Sequence, residues 1–191
     1  MIAGSGEGAF EQRLLDAGLP PENIFSCDIR PELFRVKEIK CLKCDFSGPL
    51  PYKTASFDIA VSIEVLEHLE NPWYHLNELH RVLKSGGVLV LTVPNTQALF
   101  ERLYYLLTGK FWQFAVGRGG RPTIFAPEGH GHLTPIFDWI LEDFIKDKFY
   151  IIKRTYNRGW IPLLRLELPS EFLGKPLKIL GESSIWKLKK R

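Results

Sequence analysis

The first 93 residues alternate between two kinds of segment, and this alternation constrains the fold more than any other feature of the chain. Short apolar runs rich in β-branched residues are typical of strands, and the longer stretches between them have the 3.6-residue period of amphipathic helices. Strands separated by helices pair in parallel, with helices covering both faces of the sheet. The pattern therefore predicts an α/β fold built as a three-layer, doubly wound, mostly parallel sheet.

Strands are predicted at residues 23–27, 38–44, 56–63, 88–93, 149–156 and 183–188. If the last two pair, the sheet has an antiparallel C-terminal edge. Helices are predicted at 11–15, 65–84, 96–109 and 134–146. The last of these would begin at Thr134, a good N-cap residue, with Pro135 in the first helical position. We expect residues 1–191 to form a single domain.

Composition excludes several classes of function. A net charge of +3 is too small for the basic field of a nucleic-acid binder. No apolar run reaches the roughly 18 residues that span a bilayer, and no charged-then-apolar leader is present, so we expect a soluble, cytoplasmic protein without a transmembrane segment. Three cysteines are too few for a disulfide framework and fit a reducing compartment. Cys41 and Cys44 have the spacing of half a zinc site, but no second pair follows, so we expect buried thiols.

A glycine-rich segment, Ala3-Gly4-Ser5-Gly6-Glu7-Gly8, leads directly into the first predicted helix. Such a loop lets the backbone approach a ligand while free amides at the helix start attract negative charge. Asp28 and Asp45 end the next two predicted strands, and in a parallel sheet these strand ends border the ligand crevice. A carboxylate about 20 residues after the glycines is well placed to accept hydrogen bonds from ribose hydroxyls. The loop and both acids are therefore predicted to converge on one ligand.

The segment from Ser56 to Leu69, SFDIAVSIEVLEHL, carries a stronger signal, and it is followed by the short segments RVLKSGG and VPN. Together these segments resemble the fourth strand, the Glu-His-Leu helix entry and the fifth strand of the class I S-adenosylmethionine-dependent methyltransferases. The resemblance runs from Met1 to about Tyr156. It implies a methyltransferase domain with S-adenosylmethionine as cofactor.

The resemblance also implies the cofactor-binding residues. Gly4, Ser5 and Gly6 would line the methionine and ribose, and Asp28 would hold the ribose while Ile29 packs on the adenine. Asp45 would accept a hydrogen bond from the adenine amino group, with Phe46 against the ring. Ser62 and Ile63 would lie near the sulfonium.

One position departs from the family pattern. Family members carry an acidic residue two positions before the first glycine, on a full first strand, whereas this chain has Ile2 there with only Met1 ahead of it. Either the first strand is truncated and the true start lies upstream, or the chain lacks most of its central strand. The first of these is our expectation, because a sheet without its central strand would leave neighbouring backbone groups unpaired.

Two histidines are candidates for a general base. His68 lies close to the end of the fourth strand, where a helix-entry role is the alternative to proton transfer. His130 and His132 end the glycine-rich loop at 111–132, and His132 is the catalytic candidate of the two. No metal site is predicted, because no third ligand follows at ligand spacing.

Residues 96–133 are predicted to form a substrate cover, rich in bulky apolar side chains. Leu103, Leu106 and Leu107 are expected to pack in the core, and the remaining side chains to face the acceptor. We expect the acceptor to be a small-molecule, glycan or lipid-linked hydroxyl or carboxyl group. Residues 160–180 are predicted to be a capping helix and loop, with peripheral membrane contact as the alternative.

Two other functions stay open at this point. A nicotinamide-dependent oxidoreductase is supported only by the glycine spacing, since no Tyr-Lys or His-Asp pair is recognisable. A methyltransferase-like module without activity is supported by Ile2 and the short first strand.

Overall fold

The computed structural model describes residues 1–114, 131–157, 159–161, 166–168 and 180–191. A seven-stranded sheet has the order β3-β2-β1-β4-β5-β9-β6, and β7 and β8 pair separately. The strands are β1 (Ile2–Ala3), β2 (Ser26–Asp28), β3 (Cys41–Lys43), β4 (Phe57–Ile63), β5 (Leu83–Pro94), β6 (Phe149–Tyr156), β7 (Gly159–Ile161), β8 (Leu166–Leu168) and β9 (Ser183–Lys190).

Strands β1 to β5 pair in parallel with one another, and β9 lies between β5 and β6 and is antiparallel to both. This arrangement confirms the predicted mostly parallel α/β sheet with an antiparallel C-terminal part. β1 is short, yet Ile2 and Ala3 pair with β2 on one side and with β4 on the other.

Hydrophobic residues of β5 alternate between two buried clusters, one on each face of the sheet. Leu89 and Leu91 belong to the larger cluster, with side chains from the helices α2 (Pro72–Val82) and α4 (Asp138–Ile145). Val90 packs against the smaller cluster, together with side chains from α1 (Ala9–Asp16). A fourth helix, α3 (Leu99–Thr108), ends at Gly109. Helices on both faces confirm the three-layer architecture.

The helix predicted at 65–84 is wrong in extent. Leu66–His68 form a 3₁₀ turn, and α2 begins only at Pro72. The side chain of Asn71 caps α2 by accepting a hydrogen bond from the Tyr74 amide at 3.1 Å. Proline is favoured in the first helical turn and disfavours helix in the residue before it, so Asn71-Pro72 separates the two elements.

The predicted start of α4 at Thr134 is also wrong. The helix begins at Asp138, and the Thr134 hydroxyl donates instead to the Leu69 carbonyl at 2.7 Å. The amides of Leu133 and Thr134 both donate to the Glu67 carbonyl, at 2.6 and 3.0 Å. These bonds tie the segment before α4 to the turn after β4.

Most of the segment 160–180 lies outside the described residues, but β7 and β8 within it are antiparallel strands rather than the predicted helix. The three cysteines are free thiols, and Cys27 and Cys44 are buried as expected.

His75 on α2 gives the core a dependence on pH. Its side chain is buried, and burial lowers the pKa of His75 to about 4, an effect that the charge of Glu78 opposes. As the pH falls below about 6.5, the histidine is protonated in the unfolded chain but stays unprotonated in the folded chain. The free energy of unfolding therefore falls by up to about 1.4 kcal/mol per pH unit. Between pH 7.5 and 5, we expect the free energy of unfolding to fall by about 2 kcal/mol less in His75→Leu than in the wild type, as measured by urea unfolding. Equal losses in both proteins would exclude His75 as the source.

Candidate active site

The carboxyl ends of the parallel strands bring the predicted site residues to one edge of the sheet. Ala3 pairs with Cys27 of β2 and with Ser62 of β4, and Asp28 pairs with Lys43 of β3. The glycine loop, Asp28 and the end of β4 therefore lie side by side, where an open parallel sheet binds ligands.

The glycine loop packs closely against the protein at Gly4 and borders open space at Gly6. Gly4 has a φ of +81°, and a Cβ there would lie 2.3 Å from Val65 Cγ2. Gly6 has a φ of +51°, but a Cβ there would meet no atom within 4 Å. Both positions favour glycine through their backbone angles. Position 4 also requires glycine because a side chain there would collide with Val65, directly after β4, whereas Gly6 borders free space.

Asp28 has a buried and ordered carboxylate. Its Oδ2 accepts a hydrogen bond from the Gly6 amide at 2.8 Å, and its Oδ1 accepts one from the Arg30 amide at 2.9 Å. An ionised carboxylate has about four acceptor positions, so each oxygen retains one for a ligand. The neighbouring Ile29 is 49% exposed and offers an apolar surface beside the carboxylate.

Asp45 and Phe46 point in different directions. Asp45 is exposed, and its Oδ1 accepts a hydrogen bond from the Ser47 amide at 2.9 Å. Phe46 is buried in the core, with its ring centroid 4.8 Å from that of His75. Because the side chain of Phe46 fills the core, the cofactor site proposed below does not include it.

Two buried hydroxyl groups lie in this region, on the loop and on β4. The Oγ atoms of Ser5 and Ser62 have no hydrogen-bond partner among the described residues. Buried polar atoms are nearly always paired, so we expect a water molecule or a polar ligand to bind these hydroxyls. Ile63 follows Ser62 and is half-buried.

A pair of acids directly after β4, one half-buried and one fully buried, was not identified from the sequence. Glu64 has a φ of +51°, and its carboxylate accepts a hydrogen bond from the Thr92 hydroxyl at 2.7 Å. Glu67 is fully buried. Burial raises the pKa of Glu64, and burial together with the charge of Glu64 raises the pKa of Glu67 well above its usual range. The signal was the Glu-x-x-Glu spacing, which places both acids around one tight turn.

The two candidate histidines meet beside these acids. The ring centroids of His68 and His132 lie 4.9 Å apart, and Nε2 of His68 is 4.0 Å from a carboxylate oxygen of Glu67. Burial, and then the charge of His68, lower the pKa of His132 to about 4, so its imidazole is neutral at pH 7. His130 lies outside the described residues.

Comparisons with known proteins find similarity to methyltransferases. Residues 2–91 match the model of a family described as a methyltransferase domain. An uncharacterised protein of Methanocaldococcus jannaschii is 37% identical over 101 residues, which are 51% of this chain and 41% of that protein. A protein of Mycolicibacterium smegmatis named a probable S-adenosylmethionine-dependent methyltransferase is 41% identical over 46 residues, 24% of this chain and 18% of that protein. A solved structure from Thermotoga maritima, described as a possible histamine N-methyltransferase, is 20% identical with a TM-score of 0.64, covering 100% of this chain and 81% of that one.

Residues 2–91, just under half of the chain, are therefore similar to a methyltransferase domain, and the whole chain shares the fold of a solved S-adenosylmethionine-dependent methyltransferase. The chain spans less than half the length of the curated relatives that it matches first, with 41% and 42% coverage.

Helix α3 carries exposed apolar side chains and borders a cavity. Leu103, Leu106 and Leu107 are 50%, 79% and 83% exposed, so the expectation that they pack in the core was wrong. A cavity of about 530 Å³ lies against this helix. It is lined by Thr96, Gln97, Arg102, Tyr105, Leu106, Phe111 and Phe137. Residues 115–130 of the predicted cover lie outside the described residues.

An apolar wall leads from this cavity to the histidines. Phe111 contacts Phe114, with ring centroids 6.5 Å apart, and Phe114 contacts His132 at 5.1 Å. None of the helices in the described part of the chain is long and apolar enough to cross a membrane.

Proposed function

We propose that this chain binds S-adenosylmethionine at the carboxyl edge of β1, β2 and β4 and transfers its methyl group to an acceptor held near α3. The carboxylate of Asp28 carries this proposal, because two backbone amides hold it beside an open glycine loop. A fixed carboxylate binds vicinal hydroxyl groups with charge-assisted hydrogen bonds.

Each predicted cofactor residue has a role in this proposal, with Phe46 left out. Gly6 leaves room for the ligand, and Asp28 accepts from the ribose hydroxyls while Ile29 covers one face of the adenine. Asp45 accepts from the adenine amino group. Ser5 and Ser62 supply buried hydroxyls near the methionine end, where Gly4 and Ile63 close the wall.

The bound cofactor supplies an activated methyl group, so the protein has mainly to align the acceptor and exclude water. His132 is the general base in this proposal, because its imidazole contacts Phe114 at the end of the apolar wall that leads from the α3 cavity. His68 orients it through their ring contact. We propose that the acceptor is a hydroxyl or carboxyl group on an apolar small-molecule, glycan or lipid intermediate, since exposed leucines line the approach.

Titration calorimetry with S-adenosylhomocysteine, and separately with a nicotinamide dinucleotide, tests the cofactor. Saturable binding of S-adenosylhomocysteine alone supports the proposal. Binding of the dinucleotide instead would support an oxidoreductase, and binding of neither by a folded chain would support a module without activity.

Helix α3 provides a test of the apolar acceptor. We expect the double substitution Leu106→Asp and Leu107→Asp to raise KM for an apolar acceptor by about 10-fold or more, because each buried apolar side chain contributes roughly 1.5–3 kcal/mol. Binding of S-adenosylhomocysteine should stay unchanged, since the helix lies outside the cofactor crevice. Leu19→Asp, at an exposed leucine after α1, is the matched control. An unchanged KM in the double variant would exclude α3 from acceptor binding.

A further inference from the structure

We propose that Glu67, His68 and His132 bind one divalent transition-metal ion. Sequence reasoning predicted no metal here because the third ligand is distant in sequence. Folding brings the carboxylate and both imidazoles together at the exit of β4.

The geometry of the three side chains suits a single ion. One ligand atom from each lies within 4.8 Å of the others. Ligand atoms bound to the same ion lie roughly 3 Å apart, given metal–ligand bonds of about 2.0–2.2 Å. In the proposed site, side-chain rotations close the difference. The backbone amides of Leu133 and Thr134 already hold the two segments together through the Glu67 carbonyl.

A second, independent observation is the state of the Glu67 carboxylate. It is fully buried, and neither of its oxygens has a hydrogen-bond partner among the described residues. A buried carboxylate without compensation is costly, and a bound cation compensates it directly. Glu64, three residues before Glu67, has a second carboxyl group that accepts a hydrogen bond from the Thr92 hydroxyl.

The donor set selects the class of metal. Two imidazoles and one carboxylate are typical ligands of Zn²⁺, Fe²⁺, Co²⁺ and Mn²⁺, whereas Mg²⁺ prefers oxygen ligands alone. Three protein ligands also leave at least one coordination position open.

The open position gives the ion a role that rests on the proposed function. The acceptor oxygen would bind there and lose its proton to solvent, because a bound divalent ion lowers the pKa of a coordinated oxygen. In that case the ion replaces His132 as the group that activates the acceptor.

The test is a titration of the chelator-treated protein with Co²⁺, followed by visible absorption, and with Zn²⁺ by calorimetry, both without S-adenosylmethionine. We expect one ion per chain. Glu67→Gln and His132→Ala should each weaken binding by more than about 100-fold, beyond the effect of changing an outer partner. His80→Ala removes an imidazole outside the cluster and should leave binding unchanged. Circular dichroism and thermal melts check that each variant is folded.

Several results would overturn the metal site: no binding by the folded wild type, tighter binding of Mg²⁺ than of Co²⁺, or unchanged affinity in both ligand variants. A parallel titration with S-adenosylhomocysteine in the presence of chelator separates the two proposals. Binding there without metal binding refutes the ion alone, and metal binding without S-adenosylhomocysteine binding refutes the proposed cofactor alone.

Discussion

Asp28→Ala is expected to weaken S-adenosylhomocysteine binding on the order of 1,000-fold. In the proposed site the substitution removes the acceptor of two ribose hydroxyls, and a hydrogen bond to a charged group is worth about 1.5–3 kcal/mol. It also releases the amides of Gly6 and Arg30, which the carboxylate now holds at 2.8 and 2.9 Å. The loop would then lose part of its order as well as its ligand contacts. Calorimetry with S-adenosylhomocysteine measures the loss.

Two further variants locate the origin of that effect. Asp28→Asn keeps one acceptor oxygen. We expect its affinity for S-adenosylhomocysteine to lie between those of the alanine variant and the wild type. Asp58→Ala removes an exposed carboxylate at the start of β4, where it binds the Lys84 ammonium at 2.8 Å, and should leave binding unchanged. If Asp28→Ala bound as tightly as Asp58→Ala, the crevice would not be the cofactor site.

Gly6→Ala is expected to abolish measurable S-adenosylhomocysteine binding while the chain remains folded. A methyl group at Gly6 would meet no protein atom within 4 Å, so it would occupy space that the ligand needs. The positive φ adds a strain of about 1–2 kcal/mol for any residue with a Cβ. Calorimetry reports the binding, and urea unfolding reports the strain.

Gly18→Ala is the matched control for that strain. Gly18 has a φ of +86° and is equally free of neighbours, but it lies after α1, away from the crevice. We expect both variants to lose similar stability and only Gly6→Ala to lose binding. Equal binding in both variants would show that the space beside Gly6 is not used by the ligand.

The strand ends were predictable because their signals are local. Asp28 follows an apolar run, and the glycines follow another, so pairing in parallel is enough to place them together. The start of α2 was predicted wrongly although Pro72 indicates it. The helical spacing of apolar residues continues from 65 to 84 and favoured one long helix. The start of α4 was missed because Thr134 has a hydroxyl group that binds a distant carbonyl as readily as a helix amide.

The acid–histidine cluster could not be predicted from local signals. Glu67 and His132 are far apart in sequence, and their contact depends on backbone bonds between the turn after β4 and the segment before α4. The role of Phe46 was also not predictable from the sequence. An aromatic residue at a strand end suits a ligand ring and a hydrophobic core equally well, and only packing against His75 decides between them.

The bonds from Leu133 and Thr134 to the Glu67 carbonyl have a consequence for how the proposed acceptor site assembles. His132 directly precedes this anchored pair, so its backbone cannot move away from the turn that carries Glu67 without straining two backbone hydrogen bonds. The entropy of bringing these two segments together is therefore lost during folding. In the proposed function, an incoming acceptor would meet segments that are already joined, and its binding energy would remain available for its own alignment.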